Sequence, residues 1–319
     1  MNIVDGIDLG FLDDLAPIID RIISKKETVD AARPLSAGIL ARVKNDISLE
    51  WTYNSNAIEG NSLTLVETKI VIEDGMTIGG KSLREHFEAI NHDHAIAALE
   101  GLVSPDYTLR SIDLLQLHEY VLANIDKENA GRIRNVGVRI MGANFTPPSP
   151  LKVSALLDQL IDFINENPLR LPVPVLAAVF HHQFVWLHPF VDGNGRTGRL
   201  AMNLLLQSSD YPPSIILKND RKKYYTALNL ANKGQYEKIT LMVLQGLERT
   251  LNMYLDIIPN KYKEYQSLNT VAEEPEVPYK ADYLGLLARR GLINAHKEGR
   301  NWVTSKEDVL AYANQNAED

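Results

Sequence analysis

The chain has 319 residues, 45% of them hydrophobic, with no cysteine and a formal net charge of −8. These values exclude a disordered tail, disulfide staples and nonspecific polyanion binding by the whole chain, and they predict a large domain plus a small one. The N-terminal stretch is acidic where a secretory signal is basic, and no apolar run approaches the ~20 residues that span a bilayer, so we expect a cytoplasmic protein with no membrane partner.

Helical periodicity dominates the sequence, and the first instructive helix ends near residue 60. DISLEWTYNSNAIEG is typical of a helix that stops at Gly60, a residue suited to the left-handed cap position. Thr64 and Glu67 have the capping-box pattern and start the next helix. Glu59 therefore lies in a last helical turn, where its charge opposes the helix dipole by about 0.3–1 kcal/mol. From residue chemistry alone, a solvated glutamate at a helix end is the simpler interpretation.

Histidines recur along the predicted helices without a metal-binding spacing. His86, His92 and His94 do not form the one-turn pair with glutamate that a zinc protease needs, so we interpret them as surface or packing residues. His181 and His182 would point about 100° apart on a helix. We therefore predict that one is a hydrogen-bonded core residue and the other simply polar.

One segment departs from the helical pattern. Between Asn135 and Pro148, apolar and smaller or polar residues alternate until a glycine and two prolines end the run. This pattern predicts a short β-hairpin over residues 136–143, attached to a helical body.

A glycine-rich loop follows a predicted buried helix over residues 175–187. HPFVDGNGRTGR, residues 188–199, joins that helix to a second one, and its prolines and glycines exclude a helical metal pair within the loop. Backbone N–H groups of Gly193, Asn194 and Gly195 at a helix start suit an anion. Arg196 and Arg199 share a helix face and suit a polyphosphate.

The loop also carries a carboxylate and an imidazole. Asp192 suits magnesium, which takes one or two carboxylates and completes its shell with phosphate oxygens and water. His188 is the one side chain of the loop whose ordinary pKa allows it to accept a proton near neutrality. The alternative is a structural turn with a packed histidine and helix-capping arginines, but such a turn needs no convergence of ionic groups. The combination predicts transfer of a phosphate-containing group onto a hydroxyl.

The loop resembles the Fic family motif His-x-Phe-x-Asp/Glu-Gly-Asn-Gly-Arg-x-x-Arg at every defined position, and the similarity runs from about residue 49 to 251. This resemblance implies an all-α Fic fold, a helical bundle with a short β-hairpin flap that aligns the target by β-pairing. It also implies transfer of AMP from ATP, with Mg²⁺, to a Ser, Thr or Tyr hydroxyl of a target protein. The implied site comprises His188 as base, Asp192 as metal ligand, Phe190 as core anchor, Gly193, Asn194 and Gly195 on the transferred phosphate, Arg196 and Arg199 on the outer phosphates, and Tyr225, Leu228 and Asn232 near the adenosine. For each of the last three, an ordinary amphipathic-helix position is an equal alternative.

A second resemblance changes the interpretation of Glu59. SNAIEG is similar to the Ser/Thr-x-x-x-Glu-Gly/Asn inhibitory helix of Fic proteins. It implies a forked salt bridge from Glu59 to Arg199, which would otherwise hold the terminal phosphate, and it implies that Ser55 fastens the helix to the core. Relatives with this architecture also remove AMP, and the dominant direction stays open.

The C-terminal part predicts a separate module. Residues 259–279 are polar and predict a linker or domain boundary. Residues 283–313 are typical of helix, turn, hairpin and helix, and they resemble a winged helix of the excisionase type. Five basic residues face two acidic ones between positions 282 and 306, so DNA contact is open, as are dimerisation and target capture.

The sequence thus predicts three regions: an N-terminal helical region with the inhibitory helix (1–110), a Fic core (111–258), and a linker with a winged helix-turn-helix-like module (259–319). The preferred function is a protein adenylyltransferase inhibited by its own Glu59, which also removes AMP in the bifunctional version. The alternative is a DNA- or protein-binding regulator that senses nucleotide without turnover. An intact His188 and Asp192 favour the enzyme.

Overall fold

The computed structural model describes residues 10–140, 145–258 and 263–316. Helices make up most of these residues. In chain order they are α1 (Phe11–Ala31), α2 (Ala37–Glu59), α3 (Leu65–Glu73), α4 (Leu83–Glu100), α5 (Ser111–Leu122), α6 (Pro150–Glu166), α7 (Val173–Leu187), α8 (Asn194–Gln207), a 3₁₀ turn (Lys218–Asp220), α9 (Arg221–Ala231) and α10 (Glu237–Leu255). The all-α prediction for the main body is confirmed.

Local signals place the helix ends around Glu59 as predicted. Gly60 has a φ of 108°, a left-handed conformation that an L side chain rarely adopts, and it ends α2. Thr64 accepts a hydrogen bond from the backbone N–H of Glu67, and the Glu67 carboxylate accepts one from the N–H of Thr64. This capping box starts α3, so the chain reverses direction directly after Glu59.

The pair α7 and α8 forms the centre of the main body. Helix α7 is buried along nearly its whole length, and it packs against α6, α8 and α10. Phe180, Phe184 and Phe190 are fully buried there. A helix that is apolar on every face is stable only when other helices cover it, and this arrangement keeps both ends of the loop between α7 and α8 fixed.

The C-terminal module has its own small core. It comprises β1 (Gln266–Ser267), α11 (Leu268–Ala272), α12 (Ala281–Arg290), β2 (Ala295–Glu298), β3 (Asn301–Thr304) and α13 (Lys306–Gln315). The antiparallel sheet has the order β1-β3-β2. The predicted succession of helix, hairpin and helix is confirmed over 281–315, and the winged-helix assignment stays a prediction.

The linker prediction for residues 259–279 is wrong in part. Residues 266–272 form β1 and α11, which belong to the module. Ser267 caps α11 by accepting a hydrogen bond from the Thr270 N–H, and Val271 enters the module core. The polar composition of the segment concealed this element, because a single turn of helix needs only one or two buried apolar residues.

Buried charges attach the module to the main body. Glu248 of α10 is 1% exposed and accepts from Arg21 Nε at 2.9 Å and from Lys25 Nζ at 2.9 Å. The same cations reach the module, since Lys25 Nζ lies 2.6 Å from Asn294 Oδ1 and Arg21 donates to the Gly291 carbonyl at 2.8 Å. One network therefore joins α1, α10 and the module.

The hairpin predicted over 136–143 is not seen in the residues that are described. Residues 136–140 and 145–149 form no β-ladder, and residues 141–144 lie outside the described ranges. Carbonyl groups at both ends of this segment bind Arg134 instead of a partner strand. Over the described ranges, no helix is both long and apolar enough to cross a bilayer.

Candidate active site

The loop between α7 and α8 is held in one conformation by its own residues. His188 ends α7 with a φ of 50°, and Gly193 precedes α8 with a φ of 74°. The side chain of Asn194 accepts a hydrogen bond from the Phe190 N–H and donates one to the Phe190 carbonyl, both at 2.9 Å. The Asn194 side chain therefore braces the loop, so its contribution to anion binding at the start of α8 would come from its backbone N–H.

His118 holds the loop from α5. Its ring stacks on Phe190 with centroids 3.6 Å apart, and its Nε2 lies 3.0 Å from the Asp192 carbonyl. The Gly131 N–H donates to His118 Nδ1, which assigns the remaining proton to Nε2. Burial lowers the pKa of His118 to about 4, so the ring is neutral at pH 7. No motif in the sequence pointed to His118, because its role depends on contacts with the distant residues Phe190 and Asp192.

Arg134 is the second residue that the sequence did not reveal. Its buried guanidinium donates to the His188 carbonyl at 2.7 Å, to the Pro148 carbonyl at 2.7 Å and to the Val136 carbonyl at 3.0 Å. Its own backbone N–H donates to the Pro189 carbonyl at 3.0 Å. One side chain thus joins the catalytic loop to both ends of the segment predicted as a flap.

His188 has the geometry of a general base. Its Nδ1 lies 3.2 Å from the Val185 carbonyl, so Nδ1 carries the proton and Nε2 presents a lone pair. Burial lowers the pKa of His188 below its ordinary 6.5, although the charges of Glu59 and Asp192 act in the opposite direction. The imidazole is therefore neutral at pH 7, the state that accepts a proton.

Asp192 lies at the open side of the loop with its side chain 45% exposed. Arg84 of α4 contacts one oxygen at 2.5 Å, and Arg196 lies 3.6 Å from the other. Burial raises the pKa of Asp192, but Arg196, the Gly193 N–H and Arg84 outweigh it and hold the pKa below 3.8. A single exposed carboxylate beside a phosphate-binding helix start fits magnesium, which takes most of its remaining ligands from phosphate and water. Among the described residues, no group of three or more His, Asp or Glu side chains has an arrangement that could hold a metal ion.

The start of α8 has the features of an anion site. Arg196 is 2% exposed, and its Nε and Nη1 have no hydrogen-bond partner among the described atoms. Its nearest acid is Glu88 at 3.4 Å. Buried guanidinium N–H groups without partners are costly and are satisfied when a phosphate oxygen binds.

Glu59 contacts Arg199, but not in the predicted forked geometry. Arg199 Nη2 lies 2.7 Å from Glu59 Oε1, while Arg199 Nε donates to the Ser55 hydroxyl at 3.0 Å and Nη2 also donates to the Ser55 carbonyl at 2.8 Å. The fork is wrong because Ser55 and Tyr224 occupy the other N–H groups. The carboxylate also fills the space beside Gly195, where a Cβ would overlap Glu59 Oε1.

The three residues expected near the adenosine lie on or just after α9, with different surroundings. Tyr225 donates to the Ile58 carbonyl at 3.3 Å, which joins α9 to the end of α2. Leu228 is buried, and Asn232 Oδ1 lies 2.9 Å from His182 Nε2. The Asn232 amide is therefore partly committed to the protein interior.

The prediction that one of the two adjacent histidines is simply polar is wrong. His181 and His182 are both buried, and each binds a tyrosine hydroxyl, at 2.8 Å for Tyr224 and 2.9 Å for Tyr236. Because other helices surround α7 on all sides, even residues that point about 100° apart reach interior partners.

The fold and the site together define an all-α protein with a glycine-rich, arginine-bearing helix start beside a neutral histidine. The sequence profile of the Fic/DOC family matches residues 108–206. A protein from Culex quinquefasciatus named "Protein adenylyltransferase Fic" is 36% identical over 238 residues, which cover 74% of this chain and 47% of that protein. The chain belongs to the Fic/DOC family, and it spans about half the length of the curated relatives it matches.

Solved structures of Fic proteins are similar to this chain in fold. Fic-1 (residues 134–508) from Caenorhabditis elegans superposes with a TM-score of 0.68 at 34% identity, covering 75% of this chain and 71% of that one. A Fic family protein from Desulfovibrio desulfuricans G20 shares the fold over more of the molecule, with a TM-score of 0.62 at 22% identity and coverage of 94% and 90%.

Proposed function

We propose that the protein transfers AMP from ATP to a Ser, Thr or Tyr hydroxyl of a protein target. The observation that carries this proposal is the neutral His188 next to a helix start whose buried Arg196 has ion pairs with Glu88 and Asp192 but, among the described residues, no hydrogen-bond partner at Nε or Nη1. The name of the Culex quinquefasciatus relative, protein adenylyltransferase, supports the reaction type. Family membership supports ATP as the nucleotide.

The reaction is a displacement at the α-phosphorus. The target hydroxyl oxygen attacks the α-phosphorus, the bond to the oxygen that bridges the α- and β-phosphates breaks, and pyrophosphate leaves. His188 Nε2 takes the hydroxyl proton. Backbone N–H groups of Asn194 and Gly195 hold the transferred phosphate, where charge develops in the transition state. The Gly193 N–H, which donates to Asp192 Oδ1 at 2.6 Å, joins them when it leaves that carboxylate.

The arginines and Asp192 orient the triphosphate. Arg196 and Arg199 bind the outer phosphates through their planar guanidinium groups, and Tyr225, Leu228 and Asn232 contribute to the adenosine side. Asp192 would hold Mg²⁺, which neutralises phosphate charge when bound. For Asp192 to do so, Arg84 must move aside.

Glu59 inhibits the reaction by occupying Arg199. Its carboxylate lies 2.7 Å from Arg199 Nη2 and fills the space next to Gly195, so the outer phosphates and Glu59 compete for the same groups. Ser55 fastens α2 to the same arginine. In a bifunctional enzyme the same site would also remove AMP from the target by hydrolysis. Water attacks the phosphorus of the AMP–protein bond, Glu59 orients that water, and AMP and the free hydroxyl are released.

The test is label transfer from α-labelled ATP with magnesium, both to the chain itself and to proteins of a cell extract. We expect Glu59→Gly to raise incorporation by about 10- to 100-fold, the value of a charge-assisted hydrogen bond of about 1.5–3 kcal/mol. Glu73→Gly, at the end of α3, is the matched control because, among the described residues, its carboxylate pairs with Lys69 and has no ion pair with Arg199. His188→Ala added to Glu59→Gly should abolish incorporation. Equal labelling with and without His188 would disprove the assignment of the base.

Three further expectations stay predictions: a cytoplasmic location, a homodimer, and contact of the C-terminal module with DNA. Light scattering and salt-dependent binding to duplex DNA test the last two. Tight, salt-sensitive DNA binding without any label transfer would favour the alternative function, a regulator that senses nucleotide without turnover.

A further inference from the structure

The main body and the C-terminal module enclose a cavity of about 960 Å³ that is separate from the active site. Helices α9 and α10 and residues 215–217, just before the 3₁₀ turn, form one wall, and the end of α12 with the β2–β3 hairpin forms the other. Helix α9 separates the two sites. Tyr225 on α9 contacts the end of α2, whereas Lys222 and Thr226 line the cavity.

The cavity wall is strongly basic. Seven lysine and arginine side chains line it against three acids, Asp14, Asp220 and Glu237. Within the described ranges, four of these seven make no ion pair; they are Lys222, Lys238, Arg289 and Arg290. A concave surface with this excess of unpaired cations attracts and concentrates anions.

Arg249 adds an unused donor to this wall. Its Nη2 binds Glu50 Oε2 at 2.6 Å, but its Nη1 is buried and has no hydrogen-bond partner in the part of the chain that is described. A buried guanidinium N–H without a partner destabilises the free protein, and a bound oxygen anion would satisfy it. This observation is independent of the count of charges.

The floor of the cavity is apolar and includes an indole. Leu241, Met242 and Leu292 line it together with Trp302, and Lys297 Nζ lies 5.5 Å from the Trp302 ring centre. Aromatic and aliphatic walls bind flat rings through stacking and burial. The cavity therefore offers an apolar surface for a ring and cations for several negative charges.

The shape favours a small molecule over a macromolecule. A volume of about 960 Å³ lies at the upper end of the range for sites that enclose small ligands, ~300–1,000 Å³. Strand β2 is an edge strand, but it packs against α10, so a peptide has no free edge there for β-pairing. Duplex DNA is bound by elements that protrude into a groove, whereas these cations line a hollow.

We infer that this cavity binds a nucleoside polyphosphate, or a ligand of the same chemistry with a flat ring and two or more phosphates. The site is a second ligand site, and the inference does not depend on the proposed adenylyl transfer. Arg289, Arg290 and Lys238 bind the phosphates, Arg249 contributes its free N–H, and the ring lies against Trp302.

The cavity is connected to the inhibitory helix α2 through the segment 218–221. Asp220 lines the cavity and pairs with Lys297, and the adjacent Asn219 donates to the Gly299 carbonyl of the hairpin turn at 2.9 Å. On either side of these residues, the Lys218 N–H donates to Asn54 Oδ1 at 2.9 Å and Arg221 Nε to the Ile58 carbonyl at 2.6 Å. The segment 218–221 thus contacts the module on one side and the end of α2 on the other.

The test uses the full chain labelled with 5-fluorotryptophan and ¹⁹F NMR. The chain has three tryptophans, so single Trp→Phe variants assign every resonance. ATP is titrated without magnesium, beside inorganic tripolyphosphate, poly-L-glutamate and a short DNA duplex. We expect ATP to shift the Trp302 resonance in a saturable way, and tripolyphosphate, which lacks a ring, to bind more weakly.

Two sets of variants locate the binding. Arg289→Ser with Arg290→Ser should weaken ATP binding at the Trp302 resonance by about tenfold or more, because each is an exposed cation of the wall. Arg300→Ser, an exposed arginine at the hairpin turn outside the cavity lining, and Arg196→Ala in the active site should leave it unchanged. Unchanged melting temperatures show that the variants are folded.

Several results would overturn the inference. The first is that ATP does not shift the Trp302 resonance, or shifts it with a dissociation constant weaker than about 1 mM. The second is that the double variant binds ATP as tightly as the unsubstituted chain. The third is that tripolyphosphate binds as tightly as ATP. A Trp302 shift at lower concentrations of poly-L-glutamate or duplex DNA than of ATP would assign the cavity to an acidic polypeptide or to DNA instead.

Discussion

Glu59 lies in an unfavourable place for a carboxylate and is stabilised there by its ion pair with Arg199. In the last turn of α2 its charge opposes the helix dipole, and α2 has no basic residue in that turn. Arg199, 2% exposed, compensates at 2.7 Å. A residue that is unfavourable locally and favourable only through a distant partner is well suited to a switch, because loss of that partner releases it.

At the same scale, the protonation of His188 predicts a pH profile. Burial lowers the pKa of His188 below 6.5, so the neutral base persists as the pH falls past 6.5 and is lost only at a lower pH. For Glu59→Gly we expect kcat/KM for AMP transfer to be constant between pH 6.5 and 8 and to decline below pH 6.5. Glu59 itself raises the pKa of His188, so its removal shifts the decline further toward acid. Initial rates across pH measure this, and an acidic midpoint above 6.5 would contradict it.

At the scale of elements, the end of α2 is held by α8, α9 and the 3₁₀ turn. Arg221 at the start of α9 supplies a cation and a hydrogen bond to the Ile58 carbonyl, one of the carbonyl groups that a helix end leaves unpaired. The position of Glu59 is thus decided by three separate pieces of chain.

This arrangement predicts partial activation when Arg221 is removed. Arg221→Ala should raise AMP transfer by about three- to tenfold, less than Glu59→Gly, because one hydrogen bond of about 1 kcal/mol is lost while the ion pair to Arg199 stays. Lys233→Ala, an exposed cation after the same helix, is the control and should have no effect. Label incorporation from α-labelled ATP is the measurement, and activation equal to that of Glu59→Gly would show that Arg221 does more than hold α2.

Arg134 connects elements on the opposite side of the site. Replacing it by Lys retains the charge but supplies one ammonium group where a planar guanidinium binds three carbonyls. We expect Arg134→Lys to lower the free energy of unfolding by about 1–3 kcal/mol, the cost of unsatisfied buried groups. In the Glu59→Gly background it should also lower kcat for transfer while leaving ATP affinity unchanged.

Urea unfolding, calorimetric titration with ATP and label transfer measure these three quantities. Arg132→Lys, two residues earlier and exposed, is the matched control. A loss of ATP affinity equal to the loss of kcat would mean that Arg134 supports the fold of the whole site and does not specifically position His188.

At the scale of the molecule, the buried network of Glu248, Arg21 and Lys25 fixes the module against the main body. Burial raises the pKa of Glu248, but Lys25 and Arg21 outweigh it and hold the pKa below 4.5, whereas burial lowers the pKa of Lys25 despite Glu248. For a carboxyl with a depressed folded-state pKa, the stabilisation is present above its unfolded pKa and is lost as the pH falls.

Glu248→Gln should therefore lower the free energy of unfolding by about 3–5 kcal/mol at pH 7, because two buried cations lose their partner. The difference from the unsubstituted chain should shrink as the pH falls below 4.5. Asp30→Asn, which removes a more exposed pair with Lys26, should change stability by about 0–1 kcal/mol. Denaturant unfolding at several pH values tests this, and equal effects of the two substitutions would show that the network contributes no more than a surface pair.

The sequence by itself determined the local features of this protein. Gly60, the capping box of Thr64 and Glu67, and the loop from His188 to Arg199 follow from rules that act over a few residues, so helix ends and candidate site residues were predictable. Resemblance to a known motif then related Glu59 to Arg199, which lie 140 positions apart.

Only the tertiary structure decided which distant residues form hydrogen bonds and ion pairs with one another. Arg199 binds Glu59 through a single oxygen because Ser55 and Tyr224 take its other N–H groups, and Arg134, His118 and the cavity behind α9 are defined by contacts between distant elements. Periodicity shows which face of a helix is buried but not what that face meets. Hydrogen-bond partners in a core depend on packing at the ångström scale, and no pattern within one segment encodes it.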